Sequence, residues 1–114
     1  MNHKDLEVWK KSIEFVSTIY HLTNNQTEQD QNPLTKELRR SVSSLPSDIA
    51  DGCSANDGKE TINYLNNSLD TLSKIDTQLL NAEKQNYIKN SGVLIDKSME
   101  IRDYIVELID NYNY

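Results

Sequence analysis

A single cysteine, Cys53, rules out an internal disulfide and fits a reducing, cytoplasmic setting. Glycine and proline are scarce, three and two, so few points interrupt regular backbone. No apolar run approaches the roughly 20 residues a membrane span needs, and the opening MNHKDLEVWKK has no apolar signal core. Histidine occurs twice, and neither His3 nor His21 has a cysteine or second histidine at ligand spacing. No metal or cofactor is therefore expected. Cationic charge is short as well: 12 Lys and Arg against 18 Asp and Glu give −6 and an isoelectric point near 4.8. That balance opposes non-specific nucleic-acid binding, which needs cationic surface to displace counterions. It constrains the average surface only and leaves room for a local basic patch.

What remains is helical periodicity. The 114 residues suit one domain, with 36% hydrophobic content and a mean hydropathy of −0.72 that favour amphipathic helices finishing their core against other copies. Leu6, Trp9, Ile13, Val16 and Tyr20 follow a 3-4-3-4 spacing, and Val8, Phe15, Ile19 and Leu22 form a second stripe beside them. The polar run 23–33 reads as a solvated loop ending in Asn32-Pro33, a cap followed by proline at the first helical position. Leu34, Leu38, Val42, Leu45 and Ile49 then share one face across Pro46, whose missing N–H frees the Val42 carbonyl and predicts a kink that nearby serines can satisfy. Gly52 suits a left-handed stop. Asp57-Gly-Lys-Glu60 has capping-box spacing, and Ile62, Leu65, Leu69, Leu72 and Leu79 keep a heptad seam with Asp76 on it. Asn86 reads as the next stop, after which Tyr87 and Ile88 fold back.

The last segment again carries two stripes: Leu94, Ser98, Ile101, Ile105, Leu108 and Tyr112, and beside them Ile95, Met99, Val106 and Ile109. One stripe fills a bundle interior, and a second needs another surface to cover it. Val8, Phe15 and Ile19 of the first helix, with Ile95, Met99, Val106 and Ile109 of the last, are therefore the expected oligomer interface. The fold class is all-α. The expected architecture is a left-handed up-down-up-down four-helix bundle over about 4–23, 33–52, 58–85 and 90–111, with the second helix kinked at Pro46.

No catalytic residue emerges. Ser43, Ser44 and Ser47 lack the G-x-S-x-G context of a nucleophile elbow, and Cys53 reads as a small buried hydrophobe. Lys36, Arg39 and Arg40 allow two readings: phosphate contact, or ion pairs in which an arginine reaches Asp76 or Glu60 across the helix 2–3 seam. The second is preferred.

These residues also carry a resemblance. Asp5-Leu-Glu-Val-Trp9, the block from Leu34 through Arg39-Arg40 to Pro46-Ser-Asp-Ile-Ala-Asp-Gly52, Lys59-Glu60 with Leu65, and Asp76-Thr-Gln-Leu79 look like the motifs of small bacterial four-helix proteins named for 23S rRNA intervening sequences. Asp48 and Asp51 stand where that pattern has asparagine and glutamate, Lys74 where it has glutamate, and the basic residue usual after the glycine is absent. The resemblance implies a ring-like homo-oligomer, a pentamer, with no known catalytic activity. The accessory variability determinants of diversity-generating retroelements are similar, and they bind nucleic acid and a reverse transcriptase through a basic barrel. The acidity of this chain argues against that mechanism. The expected function is a non-enzymatic cytoplasmic adaptor for RNA or ribosome-associated assemblies, with no membrane contact. The alternative is an acidic protein-binding scaffold without nucleic acid.

Overall fold

The computed structural model describes residues 3–23 and 32–112. The loop expected over 23–33 falls mainly on 24–31, outside the described residues. The described residues form four helices: α1 (His3–Leu22), α2 (Pro33–Ser54), α3 (Gly58–Lys84) and α4 (Ser91–Tyr112). Each packs on its neighbours in sequence, α4 closes the ring on α1, and α2 against α3 is the most extensive contact. Arg39 of α2 meets Thr23 at the end of α1, Gly52 late in α2 abuts Tyr64 early in α3, and Glu83 late in α3 receives the first N–H of α4. Consecutive helices therefore run antiparallel in a body of 47 × 23 × 20 Å.

The core seam of α1 is Asp5, Val8, Ser12, Phe15, Ile19 and Thr23, all buried. The two stripes of this helix are thus exchanged relative to expectation. Val8, Phe15 and Ile19 are 0%, 1% and 0% exposed and belong to the core, not to an oligomer interface, while Leu6, Ile13 and Tyr20 face out. The reason lies in the polar residues between them. Ser12 donates to the Trp9 carbonyl at 2.6 Å and Thr23 to that of Ile19 at 2.9 Å, so their hydroxyls are satisfied within the helix and can be buried. The same device recurs in α3, where the seam is Thr61, Leu65, Ser68, Leu72, Ile75, Leu79 and Ala82. Asp76 therefore stands beside the seam, and Ile75 occupies the core position.

The caps follow chemistry legible in the sequence, with one shift of register. Asn32 accepts from Thr35 N–H at 3.0 Å with Pro33 opening α2. Asp57 caps α3 through Lys59 N–H at 3.1 Å, two residues on, where the capping box placed the bond at Glu60. Asn86 takes φ 65°; its N–H bonds Glu83 O at 2.9 Å and that of Tyr87 bonds Ala82 O at 2.9 Å, a Schellman closure. Ile88 then folds back into the core, whereas Tyr87 stays exposed.

α2 continues through both Pro46 and Gly52. Ser43 donates to Arg39 O at 2.7 Å and Ser44 to Ser41 O at 2.9 Å, so these hydroxyls serve carbonyls other than that of Val42. Gly52 has no positive φ and does not stop the helix. Its absent side chain serves close approach: a Cβ there would lie 3.1 Å from Tyr64 Cβ and 3.4 Å from Leu65 Cδ2. Gly92 in α4 meets nothing within 4 Å. The two glycines should respond oppositely to alanine. Gly92→Ala should raise the melting temperature, by up to about 1 kcal/mol of helix propensity. Gly52→Ala should lower it despite the same propensity gain, because prying α2 from α3 costs about 1–3 kcal/mol. Paired thermal melts check the sign.

Candidate functional site

Arg39 is the most heavily used polar side chain at the α1–α2 contact. Its Nε donates to Thr23 Oγ1 at 2.7 Å and its Nη2 to the Tyr20 carbonyl at 3.1 Å. The guanidinium lies over the Tyr20 ring at 4.7 Å, and the Tyr20 hydroxyl meets Ser43 Oγ at 2.6 Å. Late carbonyls of a helix lack intrahelical donors and carry the negative end of its dipole, so a cation from the next helix caps α1.

Neither arginine forms the ion pair expected across the α2–α3 seam. Arg40 pairs with Glu37 at 3.6 Å within its own helix, with 82% of its side chain exposed. Asp76 is held instead by Arg102 of α4, Nη2 to Oδ2 at 3.2 Å, with both side chains mostly buried. Displacement of Asp76 from the seam turned it toward α4, which accounts for the change of partner. Lys36 and Glu60 are exposed. Arg102 was missed because only the three-dimensional register brings it to Asp76.

Between α1 and α4, Lys11 donates to Glu100 at 2.7 Å and lies 5.6 Å from the Tyr104 ring centre. The Glu100 bond raises the Lys11 pKa and lowers that of Glu100. With Glu14, Thr18 and Lys97 they line a cleft of about 110 Å³. Its charges are mutually compensated, so it offers an ion-pair lock rather than a charged receptor. At the bundle's far end, burial first and then the Asp5 carboxylate push the half-buried Cys53 thiol up to about 11. The Tyr112 hydroxyl is raised by burial and by the same neighbours. Among the described residues no three His, Cys, Asp or Glu side chains converge for a metal, and no helix is long and apolar enough to cross a membrane.

Leu22, Tyr87, Val93 and Tyr112 aside, the exposed large apolar residues fall on two sides of the bundle. Leu6 and Ile13 share the face of Tyr20, which touches α2. Met99 and Val106, 51% and 42% exposed, share the face of Arg102, which reaches α3. Ile95 and Ile109 flank them half-buried, and Leu80 stands one turn beyond Asp76 on the facing side of α3. Met99 and Val106 of α4 thus face outward as expected, while on α1 the outward apolar residues are Leu6, Ile13 and Tyr20 rather than Val8, Phe15 and Ile19.

Fold and surface define an acidic four-helix bundle whose polar contacts lock helices together and whose apolar excess lies mainly on two opposite sides. The chain belongs to the 23S rRNA-intervening sequence protein family, whose model matches residues 4–111. It is similar, with 26% identity and a TM-score of 0.86, to a crystal structure of a protein of unknown function from the S23 ribosomal protein family of Bacteroides thetaiotaomicron. The match covers 94% of this chain and 98% of that one. No curated protein matches the chain.

Two chemical predictions follow from the raised acids. A thiol at about 11 rather than the usual 9.0 holds about 100-fold less thiolate at pH 8, and even after the greater nucleophilicity of that thiolate Cys53 should react with iodoacetamide about 10-fold more slowly than a free thiol of normal pKa. Alkylation kinetics followed by mass check this. Burial and then Asp51 raise the pKa of Asp48, which stands where the family pattern has asparagine. A carboxylate raised on folding destabilises the fold once ionised, and the penalty vanishes as pH falls below its ordinary 3.8. Asp48→Asn should therefore raise the melting temperature at pH 7 and lose that advantage below about pH 4, as paired melts would record.

Proposed function

We propose that the protein is a non-enzymatic homo-oligomeric adaptor in RNA or ribosome-associated assemblies, its copies joined through the α1 and α4 faces. The observation that carries the reading is the pair of apolar faces on opposite sides of the bundle, Leu6 and Ile13 on one and Met99, Val106 and Leu80 on the other. A surface that meets a different surface of the next copy makes a heterologous contact, and such contacts close into rings when the rotation permits. Ring closure agrees with the pentamer that the family resemblance implies. Support for a non-catalytic role comes from the only thiol, which is held protonated, and from carboxylates engaged in helix–helix pairing.

Sedimentation at micromolar concentration should give a single species larger than a monomer. Met99→Asp with Val106→Asp should convert it to a folded monomer with unchanged helicity, because both positions are exposed in the single chain. A wild-type protein that sediments as a monomer overturns the proposal. A second reading, a protein-binding scaffold, is favoured by the acids Asp51, Asp57, Glu60 and Asp110 gathered at one end. Retention of labelled RNA at low salt separates the two, since phosphate contacts are strongest there.

A further inference from the structure

The net charge of −6 is not spread evenly along the 47 Å axis. Asp48, Asp51, Asp57, Glu60, Glu107 and Asp110 lie toward the end where α2 stops, α3 starts and α4 stops, with Lys59 among them. The opposite end is built from the last turn of α1, the start of α2 and the α3–α4 connection. It carries Lys36, Arg39, Arg40, Lys84 and Lys89. Its described acids are largely committed. Glu37 pairs with Arg40 at 3.6 Å, and Glu83 holds the Ser91 N–H at 3.0 Å, a bond that lowers its pKa. Asp96 is exposed, and Glu28 and Asp30 lie outside the described residues. Among the described residues this end therefore carries five cations against three acids, a small positive excess that the other end lacks.

Exposed rings lie among those cations. The last turn of α1 is flanked by two shallow concavities. One, of about 320 Å³, is lined by Ser17, Tyr20, His21 and Arg39. The other, of about 330 Å³, is lined by Leu22, Tyr87, Ile88 and Lys89 with Asn86. Tyr20 and Tyr87 are 40% and 42% exposed. The Arg39 guanidinium covers one face of the Tyr20 ring and leaves the other uncovered by it, while two of its five N–H donors are taken by Tyr20 and Thr23. One concavity thus joins Arg39 to the rings of Tyr20 and His21, and the other joins Lys89 to the ring of Tyr87, with the last turn of α1 contributing to both. Single-stranded nucleic acid is bound by that combination, with bases stacked on side-chain rings and phosphates held by flanking cations. An acidic peptide would use the same cations, but only a nucleic acid adds flat bases that stack face to face on the rings, and the ring substitution below separates the two.

We propose that this strip binds a short single-stranded segment of nucleic acid, phosphates on Arg39 and Lys89 and bases against His21 and Tyr87. It rests on the RNA-adaptor reading and adds to it a site and a class of substrate. The test measures fluorescence anisotropy of labelled 12-nucleotide oligouridylate and oligothymidylate across a salt series beginning at 50 mM, together with a base-paired RNA hairpin. Wild-type protein should bind the single strands more tightly than the hairpin. Lys89→Ala should weaken binding and flatten the logarithmic salt slope by about 0.7, the value for one lost single-strand phosphate contact. Tyr87→Ala should weaken binding about 5- to 100-fold with the slope unchanged, because stacking is insensitive to salt. Both residues are exposed, and circular dichroism of each variant should match wild type.

Single-strand binding that neither substitution weakens overturns this site and leaves the adaptor reading standing. Binding to the hairpin alone overturns the substrate class in the same way. Binding to none of the three overturns both. Oligoglutamate that competes as well as oligouridylate, with Tyr87→Ala silent, would make the strip a site for acidic proteins and overturn the proposal.

Discussion

Ser12, Ser41, Ser68 and Ser98 bring one small hydroxyl residue from each helix into the bundle's interior. That choice governs how near the helices stand, because a helix carrying serine in its seam approaches its neighbour more closely than one carrying leucine. Gly52 takes the same economy furthest, with Tyr64 Cβ occupying the space its own Cβ would need. The burial is tolerable where the hydroxyl finds an acceptor in its own helix, as Ser68 does at Tyr64 O, 3.2 Å away. Apolar volume not spent inside then remains on the outside, which is how α1 and α4 come to expose large apolar side chains in a small domain. Close packing and the apolar outer faces are two consequences of one design.

The fold class was open to a reading of the sequence because period and punctuation agreed. Asn32-Pro33, Asp57 and Asn86 each mark a helix end by local chemistry, and each does so in the structure. The facing of α1 was not open in the same way. Two stripes compete there, and apolar content favoured Leu6, Trp9, Ile13, Val16 and Tyr20. The stripe that turns inward contains Asp5, Ser12 and Thr23, whose burial depends on bonds that composition does not reveal. In α3 Leu65, Leu72 and Leu79 hold the expected seam, but the alternate positions shift by one, to Thr61, Ser68 and Ile75 in place of Ile62, Leu69 and Asp76, which leaves Asp76 beside the core. Gly52 misled for a related reason, since a glycine needed for space and one needed for a left-handed turn look alike in sequence. The candidate site was least legible of all. Arg39 could be picked out, but its partners Tyr20 and Thr23 lie on another helix, and Arg102 had no local signal.

Among the described residues, charged side chains fasten neighbouring helices more than they decorate single ones. Lys11 pairs with Glu100 to close α1 on α4, Arg102 pairs with Asp76 to close α4 on α3, and Arg39 closes α2 on α1 by hydrogen bonds to Thr23 and the Tyr20 carbonyl. The more exposed Lys11–Glu100 pair adds little to stability by itself. The distribution of these contacts around the ring of helices is better understood as fixing register, since sliding either helix by one turn, about 5.4 Å, would separate every partner.

Charge and shape then work on different axes. The apolar faces lie on the sides of the bundle, where a second copy can cover them without touching either end. Acidic and basic residues gather at opposite ends, which such a side-by-side contact leaves free. Copies joined this way with a common orientation would present their basic ends together, and weak individual contacts to one strand would then reinforce one another through effective concentration. Segregation along the axis is what allows this despite a net charge of −6. An even distribution of the same residues would repel a polyanion at every point, whereas here the larger acidic cluster stands toward the far end of a 47 Å body, beyond the roughly 8–10 Å over which physiological salt screens charge.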